Sequence, residues 1–222
     1  ELDPDKLMSF VFRAVGEVGA TLNTALVVMG DKLGLYRAMA GAGPLTPAEL
    51  AERTHTAERY IREWLNAQAA GEFVDYDPDS GRYTLAPEQA VALTDETSPF
   101  GMLGGFELLT SAIKAEPAIT ELFKTGGGFA WGEHNHGLFH GTERFFRPGY
   151  NANLVSGWIP ALSGVKEKLE SGAHVADVGC GHGASTIILA RAFPRSTFVG
   201  FDYHAASVER ARARAAEAGV SD

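Results

Sequence analysis

The chain has 222 residues, room for one full domain of roughly 100–200 residues plus a smaller one. At 45% hydrophobic and 21% charged residues it is neither disordered nor collagen-like. The 28 acidic against 19 basic residues leave a net charge of -9, which argues against a nucleic-acid binder held by phosphate neutralisation.

The segment from Leu7 to Ala40 is rich in Ala, Val, Leu and Met. Leu22, Leu26, Met29 and Leu33 recur at spacings of three and four, one apolar stripe on a helix. The stripe fits packing on the chain's own core. Further apolar positions at Phe10, Val11, Val27 and Val28 fit a dimer seam equally. No apolar run reaches the roughly 18–20 residues of a membrane span, and Glu1 opens no signal-peptide pattern. Thr46, Pro47 and Glu49 read as an N-cap, a proline at the first helical position and a first-turn acid. A helix over Ala48–Glu52, a turn at Arg53–Thr56 and a second helix over Ala57–Ala70, closed by Gly71, follow. A hairpin is predicted next, Phe73–Tyr76 and Arg82–Leu85 around a turn at Asp77–Gly81. Together these make a winged helix.

The stretch 98–158 is Gly- and aromatic-rich, with a helical piece at Leu108–Lys124 and a break at Gly126–Gly128. An amphipathic helix is expected over Ile159–Glu170. Then come a strand (His174–Val178), a glycine loop, a helix (Ala184–Ala192), a strand (Thr197–Asp202) and a helix (Ala205–Ala218). That alternation opens a parallel α/β sheet. The expected domains are therefore 1–97, helical with a winged helix; 98–158, connecting; and 159–222, the first part of a Rossmann-like sheet.

The chemistry concentrates between His174 and Ser185. A short strand runs into Gly179, Gly181 and Gly183, and a helix begins at once. Glycines let the backbone turn sharply and let a ligand approach it, and the helix N-terminus offers free N–H groups to an anion. Asp202 stands 19 residues beyond Gly183, where an acid can bond ribose hydroxyls. These features fit a nucleoside-containing cofactor, and Gly179, Gly181 and Ala184 also satisfy a dinucleotide fingerprint. Two features favour S-adenosylmethionine (SAM) over NAD. Asp177 just before the first glycine would repel a pyrophosphate but suits a cationic ligand, and Gly183 is a third glycine that the dinucleotide pattern does not demand.

Asp177-Val-Gly-Cys-Gly-His-Gly with Asp202 resembles the first two motifs of class I SAM-dependent methyltransferases. The upstream winged helix is similar to that of their dimeric small-molecule branch, and the stretch His134–Tyr150 is similar to bacterial proteins of that kind. The resemblance implies that Gly179, Cys180, Gly181 and Gly183 line the methionine part of SAM. By the same resemblance Asp177 faces its amino group, Asp202 takes the ribose hydroxyls and Tyr203 lies beside the adenine. It implies a small-molecule methyl acceptor; the apolar N-terminal helices add the expectation of a homodimer, and the net charge and the lack of a long apolar run that of no nucleic-acid or membrane partner. The family's sheet has seven strands, so the coding sequence is expected to continue past Asp222 for on the order of 100 residues, beginning with another strand.

His134, His136 and His140, with Glu133 alongside, have a spacing that a metal could use. They are read instead as loop histidines near the pocket, and no metal is assigned. Cys180 is read as a small packing residue rather than a nucleophile. As the sole cysteine it excludes an internal disulfide and points to a reducing, cytoplasmic setting. An oxygen acceptor would need a general base, and no residue is assigned to that role. The function expected is methyl transfer to a small molecule. The alternatives are a winged-helix transcriptional regulator and a non-catalytic dimerising remnant.

Overall fold

The computed structural model describes residues 2–221, and they form two compact units that divide after Thr94. In the first unit, α1 (Pro4–Lys32) leads into α2 (Leu35–Met39) through left-handed Gly34. Asp3 caps α1, accepting the amides of Asp5 and Lys6 at 3.1 Å. α3 (Pro47–Thr54) starts on the predicted cap. The Thr46 amide donates to Glu49 at 2.7 Å and the Glu49 amide donates to the Thr46 hydroxyl at 3.2 Å, a closed capping box. α4 (Glu58–Ala70) follows, then the antiparallel pair β1 (Asp75–Asp77) and β2 (Arg82–Thr84), and α5 (Pro87–Thr94), which the sequence pattern did not reveal.

The core of this unit gathers Val27, Leu35, Tyr36, Met39, Leu50 and Leu65. The Trp64 indole donates to the Leu26 carbonyl at 2.9 Å. A Cβ on Gly30 would run into the Trp64 and Tyr36 rings, so α1 meets α4 at a residue without a side chain. This turns α1 away from its predicted face. Thr24, Val27 and Gly30 are buried, whereas Leu22, Met29 and Leu33 of the expected stripe lie exposed. Phe10, Phe12, Val15 and Val18 are exposed as well. By length and composition α1 is also long and apolar enough to cross a membrane, which corrects the expectation that no stretch reaches that length. The two charges Arg13 and Glu17 interrupt the run without ending it.

The second unit opens with α6 (Leu103–Ile113) and α7 (Glu116–Thr125), two helices where one piece was expected; Pro117 sits in the first turn of α7. A 3-10 turn at Trp131–Glu133 precedes α8 (His136–Asn153). The stretch read as a histidine-bearing loop is thus a helix, capped by Asn135, whose side chain accepts the Gly137 amide at 3.1 Å. Gly141 in it, like Gly104 in α6, is there for packing. A Cβ on Gly141 would come within 2.5 Å of the Leu108 backbone, and one on Gly104 would strike the Phe145 backbone, so α6 and α8 cross at backbone contact. The helix expected over Ile159–Glu170 is only α9 (Val165–Ser171), because the chain first passes a wide turn at Leu154–Trp158 and left-handed Gly164.

β3 (His174–Val178), α10 (Ala184–Ala192), β4 (Thr197–Phe201) and α11 (Ala205–Glu217) follow as predicted, within a residue at each end. β3 and β4 are parallel, with Asp177 opposite Gly200 and Val178 opposite Phe201. The face carrying Val178, Val199 and Phe201 is exposed.

Candidate functional site

The site forms where β3 ends. Gly179, Gly181 and Gly183 all take left-handed backbone angles (φ 82°, 54° and 75°), which explains three glycines in five residues. The Gly179 and Cys180 amides donate to the Phe201 carbonyl at 2.7 and 3.1 Å, tying the loop to β4. The Gly181 amide donates to Asp202 Oδ2 at 2.9 Å, and Asp202 Oδ1 accepts the His204 amide at 2.8 Å. One carboxylate therefore fixes both the glycine loop and the turn after β4.

Asp177 points into the first turn of α10. Its Oδ2 accepts the hydroxyls of Ser185 at 2.8 Å and Thr186 at 2.6 Å. Gly183 also serves packing, since a Cβ there would meet Ala211 of α11 at 3.1 Å. Cys180 turns its sulfur toward Gly200, where a Cβ would lie 2.8 Å from Sγ. Burial, with Asp177 and Asp202 nearby, pushes the thiol's pKa up, which fits a packing residue. Tyr203 is 75% exposed.

Beside the loop lies a cavity of about 140 Å³. Gly179, Cys180, Gly181 and His182 form one wall, Ala184, Ser185 and Ser207 close it, and α8 supplies Phe139, Thr142, Glu143, Phe146 and Tyr150. Trp131 from the 3-10 turn completes the lining. Of the seven predicted site residues, Gly179, Cys180 and Gly181 line this cavity; Asp177, Gly183, Asp202 and Tyr203 do not. Phe139, Phe146, Tyr150 and Glu143 were not assigned to the site from sequence, because they come from a helix read as a loop.

Glu143 belongs to a ladder of alternating charge. Its Oε1 accepts Arg214 Nη1 of α11 at 2.6 Å and lies 3.1 Å from Arg147 Nε. Arg147 and Arg144 both reach Glu96, and Arg144 lies 3.5 Å from Glu107, which pairs with His140 Nδ1 at 2.9 Å. Burial raises the Glu96 pKa, but the two arginines outweigh it and hold the carboxyl below its ordinary value. His182 is buried, and burial lowers its pKa, so the imidazole is neutral at pH 7. His134 packs edge-on against Phe129 and Trp131. Among the described residues, no three of His, Cys, Asp and Glu gather as they would around a metal.

A parallel β–glycine loop–α–β unit beneath a helical layer, joined in sequence to a winged helix, defines the class I methyltransferase fold. Comparison with known proteins agrees. Residues 21–95 match the Rv2258c-like winged helix-turn-helix domain, and residues 169–222 match a methyltransferase domain. Among solved structures, one from Nostoc punctiforme described as an O-methyltransferase is 20% identical, with a TM-score of 0.68, over 100% of this chain and 62% of that one. The mitomycin 7-O-methyltransferase MmcR is 20% identical, with a TM-score of 0.67, over 98% of this chain and 65% of its own. Human N-acetylserotonin methyltransferase, solved with SAM, is 15% identical, with a TM-score of 0.52, over 86% and 59%. The chain thus spans less than two thirds of these structures' length. No curated protein matches it.

Proposed function

We propose that the protein is a SAM-dependent methyltransferase acting on a small-molecule acceptor. The observation that carries the reading is the glycine loop. Nothing lies within 4 Å of a Cβ placed on Gly179 or Gly181, so a ligand can reach the backbone there, beside a cavity at the N-terminus of α10. SAM fits these residues: its ribose hydroxyls suit Asp202 and its carboxylate suits the free N–H groups of α10. When bound, it supplies an electrophilic methyl on a sulfonium. The chain's own contribution is orientation and exclusion of water, with Trp131, Phe139, Phe146 and Tyr150 walling the cavity. The solved human relative with SAM supports the same reading.

The winged helix, in this reading, serves assembly and does not read DNA. Of the polar side chains on α4, Gln68 is buried, accepting the Tyr36 hydroxyl at 2.5 Å and donating to Asn23 at 2.7 Å. Asn66 accepts the Tyr83 hydroxyl at 2.5 Å. Arg59 pairs with Glu63, and Arg62 with Glu58. The wing adds Asp75, Asp77 and Asp79, which would repel phosphates. The exposed apolar residues of α1 favour a second copy of this chain as the partner, and a single unpaired thiol favours a cytoplasmic setting.

Titration calorimetry of the full-length protein tests the central claim. SAM is expected to give saturable heat and NAD none. Asp202→Ala should weaken SAM binding by about 1–3 kcal/mol, the worth of buried hydrogen bonds to ribose. Absence of SAM binding by the folded wild type would overturn the proposal.

A further inference from the structure

Glu143 meets two arginines with one oxygen. Its Oε1 accepts Arg214 Nη1 at 2.6 Å, and Arg147 Nε stands 3.1 Å from the same atom. Only the first of these contacts has the angle of a hydrogen bond. Arg147 Nε is buried and has no hydrogen-bond partner among the described residues. A buried donor left without an acceptor costs more than an ordinary hydrogen bond gains, so Arg147 competes with Arg214 for this carboxylate. The three side chains are 29% exposed or less, and charges so placed are screened little by salt.

The two competitors lead to different places. Arg214 Nη1 also reaches the His182 carbonyl, at 3.4 Å, in the middle of the glycine loop. Arg147 Nη2 donates to Glu96 Oε2 at 3.2 Å. Glu96 belongs to segment 95–101, by which the chain enters the second unit. That segment is folded on itself and seated on α8. Asp95 Oδ1 accepts the amides of Thr97 at 2.8 Å and Ser98 at 3.2 Å, and a Cβ on Gly101 would lie 3.9 Å from Pro148 Cγ. Arg144 holds Glu96 Oε1 at 2.6 Å, so Arg147 is tied to an anchored group.

We infer that Arg147 is a positioning residue: through Glu143 and Arg214 it couples segment 95–101 to the glycine loop. The shared oxygen is the two-state element. A carboxylate turned to complete the Arg147 bond moves off Arg214, and the hold on the His182 carbonyl loosens. Linkage makes the coupling reciprocal, so a ligand that steadies the glycine loop also steadies segment 95–101. This holds for any ligand of the loop and does not rest on the proposed use of SAM.

Hydrogen exchange on the ligand-free, full-length protein tests it, because both ends carry reporter amides. Gly179, Cys180, Gly181 and Gly183 donate within the loop region, and Thr97, Ser98 and Gly101 donate within the entry segment. Glu96→Gln keeps acceptors for Arg144 and Arg147 but loses the charge, and should speed exchange at 179–183 about threefold. Arg214→Met should speed exchange at 95–101 by a similar factor. Helix α9, outside the ladder, should not change in either variant. In an Arg147→Met background both cross effects should vanish, as a double-mutant cycle requires of a tie that runs through this residue. If Arg147→Met does not fold, the two cross effects decide alone. Changes confined to the substituted end, cross effects that persist without Arg147, or a rise that includes α9 would each overturn the inference.

Discussion

Asp202 shows how one residue can be legible in sequence and still hold a surprise. Its place after β4 was evident from spacing, but its two oxygens already hold the Gly181 and His204 amides. It shapes the glycine loop and the turn after β4, whereas Asp177 is committed to Ser185 and Thr186. His182 stands in the loop motif between Gly181 and Gly183 and is buried. Burial lowers its pKa, so the unfolded chain binds the proton more tightly than the native state does. As pH falls through the ordinary histidine value near 6.5, the unfolded state is favoured, and the loss levels off below the depressed native pKa. Urea unfolding at pH 7.5 and 5.5 should therefore show a smaller acid loss in His182→Gln than in the wild type. Equal losses would mean that His182 takes up its proton as easily in the native state.

Among the elements, α8 teaches most. Gly137, Gly141, Pro148 and Gly149 lower its helix propensity, and a reading based on propensity turns it into a loop. The backbone of α6 is what requires Gly141, and that contact is tertiary, invisible to any local pattern. Gly141→Ala should destabilise the protein by about 1–3 kcal/mol through overpacking. Gly149→Ala lies in the same helix with nothing within 4 Å, and should be neutral or stabilising by up to about 1 kcal/mol. Denaturant melts of the two variants check the contrast. The β3–loop–α10–β4 segment was legible almost to the residue, because period, glycines and caps agree there. α1 was not, because it is apolar nearly all round, and Gly30 facing Trp64 and Tyr36 decides which side is buried. The cavity wall followed α8 out of view. Glu143, Phe146 and Tyr150 lie some 30 residues before the glycine loop, inside the stretch His134–Tyr150 that the resemblance covers, but no spacing rule says which of its side chains face a cavity.

For the whole molecule, α1 leaves an apolar side unburied. Leu7, Phe10, Phe12, Val15, Val18 and Leu22 stand in solvent along about four turns of helix. A symmetric dimer is the simplest cover. Sedimentation at micromolar concentration should give a dimer for the full-length protein and a monomer for the double variant Phe12→Glu, Val15→Glu. A monomeric wild type that instead floats with lipid vesicles would assign α1 to a membrane surface. The indole of Trp64, held edge-on to Tyr36 and 6% exposed, has a further consequence, because Trp131 and Trp158 in the other unit are 40% and 49% exposed. Each unit thus has its own optical signature. Blue-edge emission follows the winged helix and red-edge emission follows the unit with the glycine loop, so a single unlabelled sample tells whether the two come apart together or in turn.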